Sequence, residues 1–420
     1  MQYITKNTYL DITGVSITDN LDQCLAYCSS RKVLAIDTET SGLSFISDQL
    51  LLFQIGDSDA QFVIDCTTIS LHPLIPLLLD ASIQKVFHNV KFDYKFIRKA
   101  LDIQIENVYD TMLVEAVIHC GKKNMSKSLA ATAERHLGIT MSKAEQNSFI
   151  GLNSGRFTLS QLEYAAKDIE VLLEIKDSQT RLVLEYKLER VCMLENYASL
   201  AFADIEYNGI GVDKDTWIST AKSVEREVHT LEEELYQMIL NDPLFIDFVP
   251  KNYNLSLFDT MEGSRIESLK KNLSFSSPKQ VLNLFHTIDS TLDSVNGKLL
   301  LTIKGKHPII AKYILFKEKE KLFNAYGPSF LNKYVGVDQK VHTSFNQILD
   351  TGRVSSRDPN MQQIPADNKY RNAFTADDGY VFASSDFSSQ ELCIIATGSQ
   401  DPVWLQSLET GQDLHSVCAD

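Results

Sequence analysis

Apolar and polar positions follow two different patterns along the first 188 residues. Residues 33–110 contain short apolar runs that predict five strands, VLAIDT, QLLLFQIG, QFVID, QKVFHN and IQIENVYD, with the helices HPLIPLLLD and KFDYKFIRKAL between them. Residues 126 to about 188 show the helical period. This order predicts an α/β fold, in which a mixed sheet carries helices on its faces.

The residues that follow are mainly helical in pattern up to about residue 330. TAKSVEREVHTLEEELYQMIL carries an apolar stripe with charged flanks, and SSPKQVLNLFHTI places Ser and Pro at a helix start. HPIIAKYILFKEKEKLFNAYGPSFL predicts another long helix. After residue 340, strands and turns return in KVHTSFN, TGRVSSRDPNMQQIP and GYVFASSDFSS. The pattern therefore predicts three regions, residues 1–188, 189–340 and 341–420.

Composition narrows the class of protein only partly. A chain of 420 residues with 44% hydrophobic and 23% charged residues is typical of a soluble protein with two or three domains. No apolar run reaches the length of a membrane span, and the start lacks a signal-peptide pattern. The seven cysteines form no CxxC pair, which favours a reducing, intracellular compartment. The net charge of −15 argues only weakly against nucleic acid, because a basic groove can lie on an acidic body.

Two carboxylates follow the first of these predicted strands. Asp37 and Glu39 come directly after VLAI, and side chains two apart on a strand point to the same face. Carboxylates buried together repel each other and lose their solvation by water. A divalent cation bound through oxygen ligands removes both costs. We therefore expect Asp37 and Glu39 to be metal ligands.

Three further side chains complete this candidate site. Asp93 lies early in the helix of HNVKFDYKFI, and Tyr164 and Asp168 lie four residues apart on one face of the helix LSQLEYAAKDIEVLLEI. Four carboxylates suit two metal ions about 4 Å apart, the arrangement that cleaves phosphodiesters. Tyr164, as a neutral phenol at pH 7, would orient the attacking water.

Three short segments of the N-terminal region resemble the motifs of the DEDD 3′–5′ exonucleases, in the subclass with Tyr in the third motif: IDTETSGL, HNVKFD and YAAKD. The resemblance covers roughly residues 30–185. It implies an RNase H-like fold, hydrolysis at a 3′ end, two Mg²⁺ or Mn²⁺ ions held by the four acids, and Tyr164 as the water-positioning residue. It also implies that Asn89 contacts the substrate near its 3′ end and that Leu43 wedges against the terminal base.

The remaining chain resembles the family A DNA polymerases, the bacterial DNA polymerase I type. The similar segments are ENYASLAFADIEYNGIGVD, LSFSSPKQVLNLF, VHTSFNQILDTGRVSSRDPNMQQIP, SSDFSSQELCIIA and GQDLH. The resemblance implies an exonuclease domain over residues 1–188, a mainly helical thumb-like region over residues 189–340, and a partial α+β palm with motif A over residues 341–420.

The same resemblance assigns roles at a polymerase site. Asp386, at the end of the predicted strand VFASSD, would be a catalytic metal ligand, and Glu391 would lie against the sugar and exclude a 2′-hydroxyl. Arg353 would reach the primer terminus from the minor-groove side, where Asn360 and Gln362 would also lie. The minor groove suits contacts that are independent of sequence.

The chain departs from the family in two respects. Phe387, Ser389, Gln390 and Cys393 differ from the usual motif A, DYSQIELR, and Gln363 stands where the family has Asn. The fingers helix and the palm motif with the second catalytic Asp have no counterpart in the sequence. Nucleotidyl transfer by two metals needs both carboxylates, so we expect that this chain alone does not polymerise DNA.

Several functional hypotheses follow from these resemblances. The preferred one is a proofreading exonuclease joined to the first half of a split, viral-type polymerase, which needs a second chain with the fingers and the other palm acid. The alternatives are a free-standing 3′–5′ exonuclease with a DNA-gripping C-terminal region, a DNA-binding assembly subunit with an inactive exonuclease, and a shortened form of a longer polymerase. The expected partners are a single-stranded 3′ end and primer-template duplex DNA, with no membrane, in the cytoplasm of a bacterium or a virus-infected bacterial cell.

The lysines of KYILFKEKEKLF have two interpretations. Lys312 and Lys319 could contact the DNA backbone independently of sequence. They could also belong to a solvated helix face paired with Glu318 and Glu320.

Overall fold

A computed structural model describes residues 1–7, 12–141, 145, 147–153, 156–249, 261–365 and 368–417. The chain divides into two compact units, Met1–Thr375 and Ala376–Asp420. The predicted boundaries after residues 188 and 340 remain predictions. No helix among the described residues combines the length and the apolar character that crossing a membrane requires.

Seven strands form the sheet of the N-terminal region: β1 (Gln2–Ile4), β2 (Ser16–Thr18), β3 (Val33–Thr40), β4 (Leu50–Gly56), β5 (Gln61–Asp65), β6 (Gln84–Phe87) and β7 (Val108–Asp110). Their order across the sheet is β2-β1-β5-β4-β3-β6-β7. β3, β4 and β5 form an antiparallel meander, while β6 and β7 continue the sheet parallel to β3. This is the RNase H-like arrangement, and the predicted fold class is confirmed. The short strands β1 and β2 were not predicted.

The helices described up to residue 208 are α1 (Asp22–Ser29), α2 (Ile75–Leu79), α3 (Val90–Leu101), α4 (Thr111–Ile118), α5 (Leu129–Leu137), α6 (Leu159–Glu185) and α7 (Glu189–Asn208). Both faces of β3 are covered, because successive side chains of a strand point to opposite faces. Leu34 and Ile36 pack in the core that includes α1, α2 and α3, whereas Ala35 packs against α6. This two-sided burial explains why β4 and the first half of β3 are almost continuously apolar.

The helical region contains α8 (Lys214–Asn241), α9 (Met261–Asn272), α10 (Pro278–Phe285), α11 (Gly297–Thr302), α12 (Pro308–Tyr326) and α13 (Pro328–Tyr334), preceded by the strand β8 (Ile210–Val212). The long helices α8 and α12 pack along each other. Lys312 and Lys319 of α12 form ion pairs with Glu234 and Glu227 of α8, each 2.7 Å between nitrogen and oxygen. These ion pairs favour the interpretation that the lysines belong to a salt-bridged helix face. The predicted partners were Glu318 and Glu320 of the same helix, whereas the observed partners lie on α8.

The remaining elements are short. They are β9 (Lys340–Val341), β10 (Ser344–Asn346), β11 (Ser355–Arg357), α14 (Asn368–Arg371), β12 (Phe374–Thr375), α15 (Gln390–Ser399), α16 (Pro402–Thr410) and α17 (Leu414–Val417). β8 lies between β12 and β9 in an antiparallel sheet, and β10 pairs with β11. The predicted strand VFASSD is wrong, because residues 381–387 lie exposed without strand pairing. A strand needs hydrogen-bonding neighbours, and no described strand pairs with this segment.

One buried carboxylate joins two helices of the N-terminal region to the sheet. Asp110, at the end of β7, accepts hydrogen bonds from the backbone N–H groups of Met112 and Leu113 in α4, at 2.9 and 3.2 Å. It also accepts from the N–H groups of Asn89 and Val90 at the start of α3, both at 2.9 Å. A single side chain therefore satisfies orphan donors at two helix N-termini.

Replacing this carboxylate by an amide should be costly. We expect Asp110→Asn to lower the free energy of unfolding by about 2–4 kcal/mol, because the amide keeps one acceptor oxygen and turns an NH₂ group towards backbone donors. Urea denaturation followed by circular dichroism measures the loss.

The matched control is Asp213, an exposed residue that caps only α8. Asn caps a helix about as well as Asp, so Asp213→Asn should change the free energy of unfolding by less than about 0.5 kcal/mol. Equal losses in the two variants would contradict the double-cap interpretation.

Candidate active site

The candidate site begins at the C-terminal half of β3. Asp37 and Glu39 lie on the face that also carries Ala35, and β4 pairs with the strand along this stretch. On the other side, β6 pairs with β3 only over residues 33–35. Both carboxylates therefore lie beyond the point where one neighbouring strand has ended, which leaves them half-buried rather than enclosed.

Helix α6 brings Tyr164 and Asp168 to the same place. The helix starts with a capping box formed by Thr158 and Gln161. Ile169 and the apolar residues one turn on either side of it are buried, and Ile169 packs in the cluster that contains Ala35. This packing fixes the rotation of the helix, because residues three and four apart share a face.

Three carboxylates come together at this point. Asp37, Glu39 and Asp168 each offer an oxygen, and these oxygens all lie within 4.8 Å of one another. Oxygen donors grouped in this way are suited to a divalent cation such as Mg²⁺ or Mn²⁺. The cluster joins residues that are separated by about 130 positions in the chain.

Asp93 lies next to this cluster but outside it. Its carboxylate is buried and accepts a hydrogen bond of 2.6 Å from the hydroxyl of Thr38. Thr38 stands between Asp37 and Glu39 on β3 and points to the opposite face. Asp93 therefore links α3 to β3 through the hydrogen bond from Thr38. Its charge nevertheless raises the pKa of both Asp37 and Glu39.

The electrostatics of the site are dominated by burial and by like charges. Burial, followed by the neighbouring acids, raises the pKa of Asp37 and Glu39 well above their usual values. Burial raises the pKa of Asp93 and of Asp168 to about 7, although hydrogen bonds from Thr38 and Tyr164 oppose the shift. Among the described residues, no lysine, arginine or histidine forms an ion pair with any of the four carboxylates, and none is a main cause of their pKa shifts. This donor set fits a divalent cation.

Tyr164 is suited to orient a molecule rather than to accept a proton. Burial, followed by the charge of Asp168, raises the pKa of its phenol far above neutrality. Its hydroxyl interacts with the Asp168 carboxylate, one helical turn further along α6. Tyr164 is therefore a neutral hydroxyl beside the carboxylates.

The two predicted substrate residues lie on loops next to the site. Asn89 stands before the first turn of α3 with φ of 74°, in the left-handed region that Asn tolerates better than most residues. Its side chain forms no hydrogen bond to the helix that it precedes. Leu43, in the loop after β3, exposes 82% of its surface, which is a large fraction for a leucine. Their contact with a nucleic acid remains a prediction.

The polymerase-like residues before position 375 form a compact loop. Asn360 contacts the Ser356 hydroxyl at 3.2 Å and accepts a hydrogen bond of 3.1 Å from the backbone of Gln362. The side chain of Gln362 accepts from the Ser356 N–H and donates to the Val354 carbonyl. The two amides therefore hold the loop around Ser356, while Arg353 is exposed beside them.

Asp386 and Glu391 lie in the second compact unit. Asp386 is exposed in the unpaired segment 381–387, and Glu391 is exposed in the first turn of α15. Within the described part of the chain, no group of three or more metal-ligating side chains includes Asp386. Their catalytic roles remain predictions.

Sequence reasoning did not single out Thr38, Gln54 or Asp110. Asp110 carries a recognisable signal, since an Asp that directly precedes a helix is a frequent N-cap. Gln54 is a polar residue within the apolar run QLLLFQIG. Nothing in the pattern indicates the bond between Thr38 and Asp93, because it depends on how α3 packs below β3.

Comparison with known proteins gives matches over most of the chain. Residues 12–183 match the family profile described as 3'-5' exonuclease, and residues 217–420 match the profile described as DNA polymerase family A. DNA polymerase I of Aquifex aeolicus is 28% identical over 434 residues, covering 98% of this chain and 67% of that protein. DNA polymerase I of Borreliella burgdorferi is 27% identical and covers 95% of this chain and 43% of that protein.

A solved structure has a similar fold. The POL domain of Pol1 from M. smegmatis, in complex with DNA primer-template and dNTP, superposes with a TM-score of 0.71 at 20% identity, over 95% of this chain and 65% of that one. The chain thus spans between about two fifths and two thirds of the length of these relatives. The N-terminal part of the chain therefore matches a 3′–5′ exonuclease family, and the C-terminal part matches DNA polymerase family A.

The repulsion within the cluster leads to a test with and without metal. We expect Asp168→Asn to unfold at a temperature no lower than the parent protein in the presence of a chelator, because the change removes one of the repelling charges. Mn²⁺ should stabilise the parent by about 2.7 kcal/mol at a hundred times its dissociation constant, and should not stabilise the variant. Differential scanning calorimetry measures both quantities.

Asp65 provides the matched control for this test. It is a buried aspartate of β5 that accepts hydrogen bonds from the hydroxyls of Thr5, Thr67 and Thr68. Asp65→Asn should therefore lower the unfolding temperature and keep the response to Mn²⁺. The cation site would be rejected if Asp168→Asn kept the full response to Mn²⁺.

Proposed function

We propose that the N-terminal region is a 3′–5′ exonuclease that removes nucleotides from DNA ends with the help of two divalent cations. The observation that carries the proposal is the group of three carboxylates within 4.8 Å, next to a neutral tyrosine. The match of residues 12–183 to an exonuclease family supports the same reaction. Bound Mg²⁺ or Mn²⁺ would neutralise the phosphate, acidify the attacking water and stabilise the leaving oxygen.

The residues of the chain have separate tasks in this proposal. Asp37, Glu39 and Asp168 would hold one cation through their clustered oxygens, and Asp37 together with Asp93, which lies outside that cluster, would serve a second. The hydroxyl of Tyr164 holds the attacking water in line with the scissile bond by a hydrogen bond, because a phenol that stays neutral cannot act as the base at pH 7. In this proposal the positioning group lies beside the metal-binding groups.

The substrate is proposed to enter past the loops that carry Leu43 and Asn89. The exposed side chain of Leu43 can wedge against the terminal base through apolar contact, which does not depend on which base it is. The unbonded amide of Asn89 is available to the sugar and phosphate near the 3′ end. Contacts of this kind suit an enzyme that removes any nucleotide.

We further propose that the C-terminal region contributes to template-directed DNA synthesis in the cytoplasm of a bacterial cell. The family match over residues 217–420 supports this role. Asp386 would bind a metal, Glu391 would exclude a 2′-hydroxyl, and Arg353, Asn360 and Gln362 would face the minor groove of primer-template DNA.

A second polypeptide that supplies the fingers and the other palm carboxylate is part of this second proposal. The second unit exposes large apolar side chains, Tyr380, Val381, Phe382, Phe387, Ile394 and Ile395. Apolar surface of this extent favours contact with further protein. The alternative is a free-standing exonuclease whose C-terminal region only grips DNA.

The exonuclease proposal is tested on a 5′-labelled DNA strand. We expect Asp37→Ala to abolish metal-dependent shortening from the 3′ end, because the change removes a shared cation ligand. Tyr164→Phe should slow the reaction by about 100-fold and no more, because it removes a positioning hydrogen bond but no ligand. Gel electrophoresis of the products, with circular dichroism as a check of folding, gives both results.

The control variant is again Asp213→Asn. It changes the N-cap of α8, which is not part of the candidate site, so the rate of shortening should equal that of the parent protein. Shortening by folded Asp37→Ala at the parent rate would reject the assignment. Shortening from the 5′ end, or products other than single nucleotides, would reject the proposed reaction.

The polymerase proposal requires a separate experiment. The chain is purified by affinity from extract of its native cell, and primer extension is measured on the eluate and on the chain produced alone. We expect synthesis only in the eluate, together with a co-purifying protein. Asp386→Ala should abolish this synthesis and Asp37→Ala should preserve it, since the two acids serve different reactions. Nucleotide release without synthesis in the eluate would favour the free-standing exonuclease.

A further inference from the structure

One buried side chain next to the carboxylate cluster has no hydrogen-bond partner. Gln54 of β4 is completely buried, and neither its side-chain oxygen nor its side-chain nitrogen forms a hydrogen bond. A buried amide without partners costs free energy that a leucine of similar size avoids. The position is therefore unfavourable for folding alone.

The register of the sheet places this amide beside the site. Gln54 pairs directly with Asp37 across the antiparallel strands β3 and β4. Side chains directly opposite each other share a face and have Cβ atoms about 5 Å apart. An amide reaching from that Cβ is within range of the Asp37 carboxylate.

Among the described residues, the buried amides of Gln179 and Asn196 have partners at both ends, and Gln347 lacks a partner only at its oxygen. Gln179, equally buried, donates to the Thr111 carbonyl at 2.8 Å and to Glu115 at 3.0 Å. Asn196 donates to the Cys192 carbonyl and accepts from a backbone N–H. Among the described residues, Gln54 is the buried amide side chain that lacks partners at both ends. This unpaired amide lies on the strand next to Asp37, a member of the acidic cluster.

We propose that Gln54 is a positioning residue for the cation site, whose amide donates a hydrogen bond to Asp37 when a divalent cation is bound. This inference rests on the cation site of the proposed exonuclease. A carboxylate that binds a cation through one oxygen can accept a hydrogen bond at its other oxygen. The amide then fixes the direction in which Asp37 presents its other oxygen, as residues behind metal ligands commonly do.

The test separates metal binding from folding. Gln54→Leu is made in the full chain, thermal unfolding is measured in chelator, and Mn²⁺ binding is measured by isothermal titration calorimetry. We expect the unfolding temperature in chelator to equal or exceed that of the parent, because an unsatisfied amide has been removed. We expect the dissociation constant for Mn²⁺ to rise about tenfold or more.

The control is Gln179→Leu, which removes an amide of equal burial whose hydrogen bonds are made. It should lower the unfolding temperature and leave the dissociation constant for Mn²⁺ within twofold of the parent value. Gln54→Met, with an unbranched side chain, should repeat the result of Gln54→Leu if the leucine is poorly accommodated.

Three results would contradict the inference or the cation site on which it rests. A dissociation constant within twofold of the parent value in a folded Gln54 variant would overturn the inference and leave the exonuclease proposal intact. Failure of both Gln54 variants to fold in chelator would also overturn it, because the amide would then be required without metal. Absence of Mn²⁺ binding by the parent chain would instead reject the cation site on which the inference rests.

Discussion

Repulsion among buried carboxylates is the constraint on which the N-terminal site depends. β3, α3 and α6 bring Asp37, Glu39, Asp93 and Asp168 into one region, where burial raises the pKa of all four and the neighbouring acids raise the pKa of Asp37 and Glu39 further. A fold tolerates such a cluster only when the surrounding core supplies enough stability. Here both faces of the sheet are covered by apolar helices, so the core is large on either side of the cluster. The electrostatic repulsion is concentrated at the place where a bound cation can reduce it.

Hydrogen bonds at the starts of α3, α4 and α6 fix the helices around these repelling carboxylates. Asp110 ties the starts of α3 and α4 to the end of β7, and α3 in turn carries Asp93. The capping box at the start of α6 serves the helix that carries Asp168. In both cases a helix is positioned by complete hydrogen bonding at its end, while the functional carboxylate lies farther along it. Rigid secondary structure with satisfied ends is the support that a site of fixed geometry requires.

Local patterns were sufficient to predict some features and insufficient for others. The two-residue spacing of Asp37 and Glu39 and the four-residue spacing of Tyr164 and Asp168 follow from strand and helix periods, so their shared faces were predictable. The five central strands and the long helices were predictable for the same reason. The Thr38–Asp93 bond and the pairing of Gln54 with Asp37 depend on tertiary packing and on strand register, which no short segment encodes. The segment VFASSD has the composition of a strand, yet no described strand pairs with it.

The candidate exonuclease site and the candidate polymerase site differ in how closely their carboxylates are grouped among the described residues. The exonuclease carboxylates are clustered, partly or wholly buried, and fixed by packed elements, so a cation needs little rearrangement of the protein to bind. Asp386 and Glu391 are exposed, and no cluster of potential ligands includes Asp386 within the described residues. Transition-state stabilisation relies on charges that are oriented before the reaction. The proposed hydrolysis at a 3′ end therefore uses cation ligands that the chain already groups together, whereas the proposed nucleotide addition uses Asp386, which is exposed in a segment without strand pairing.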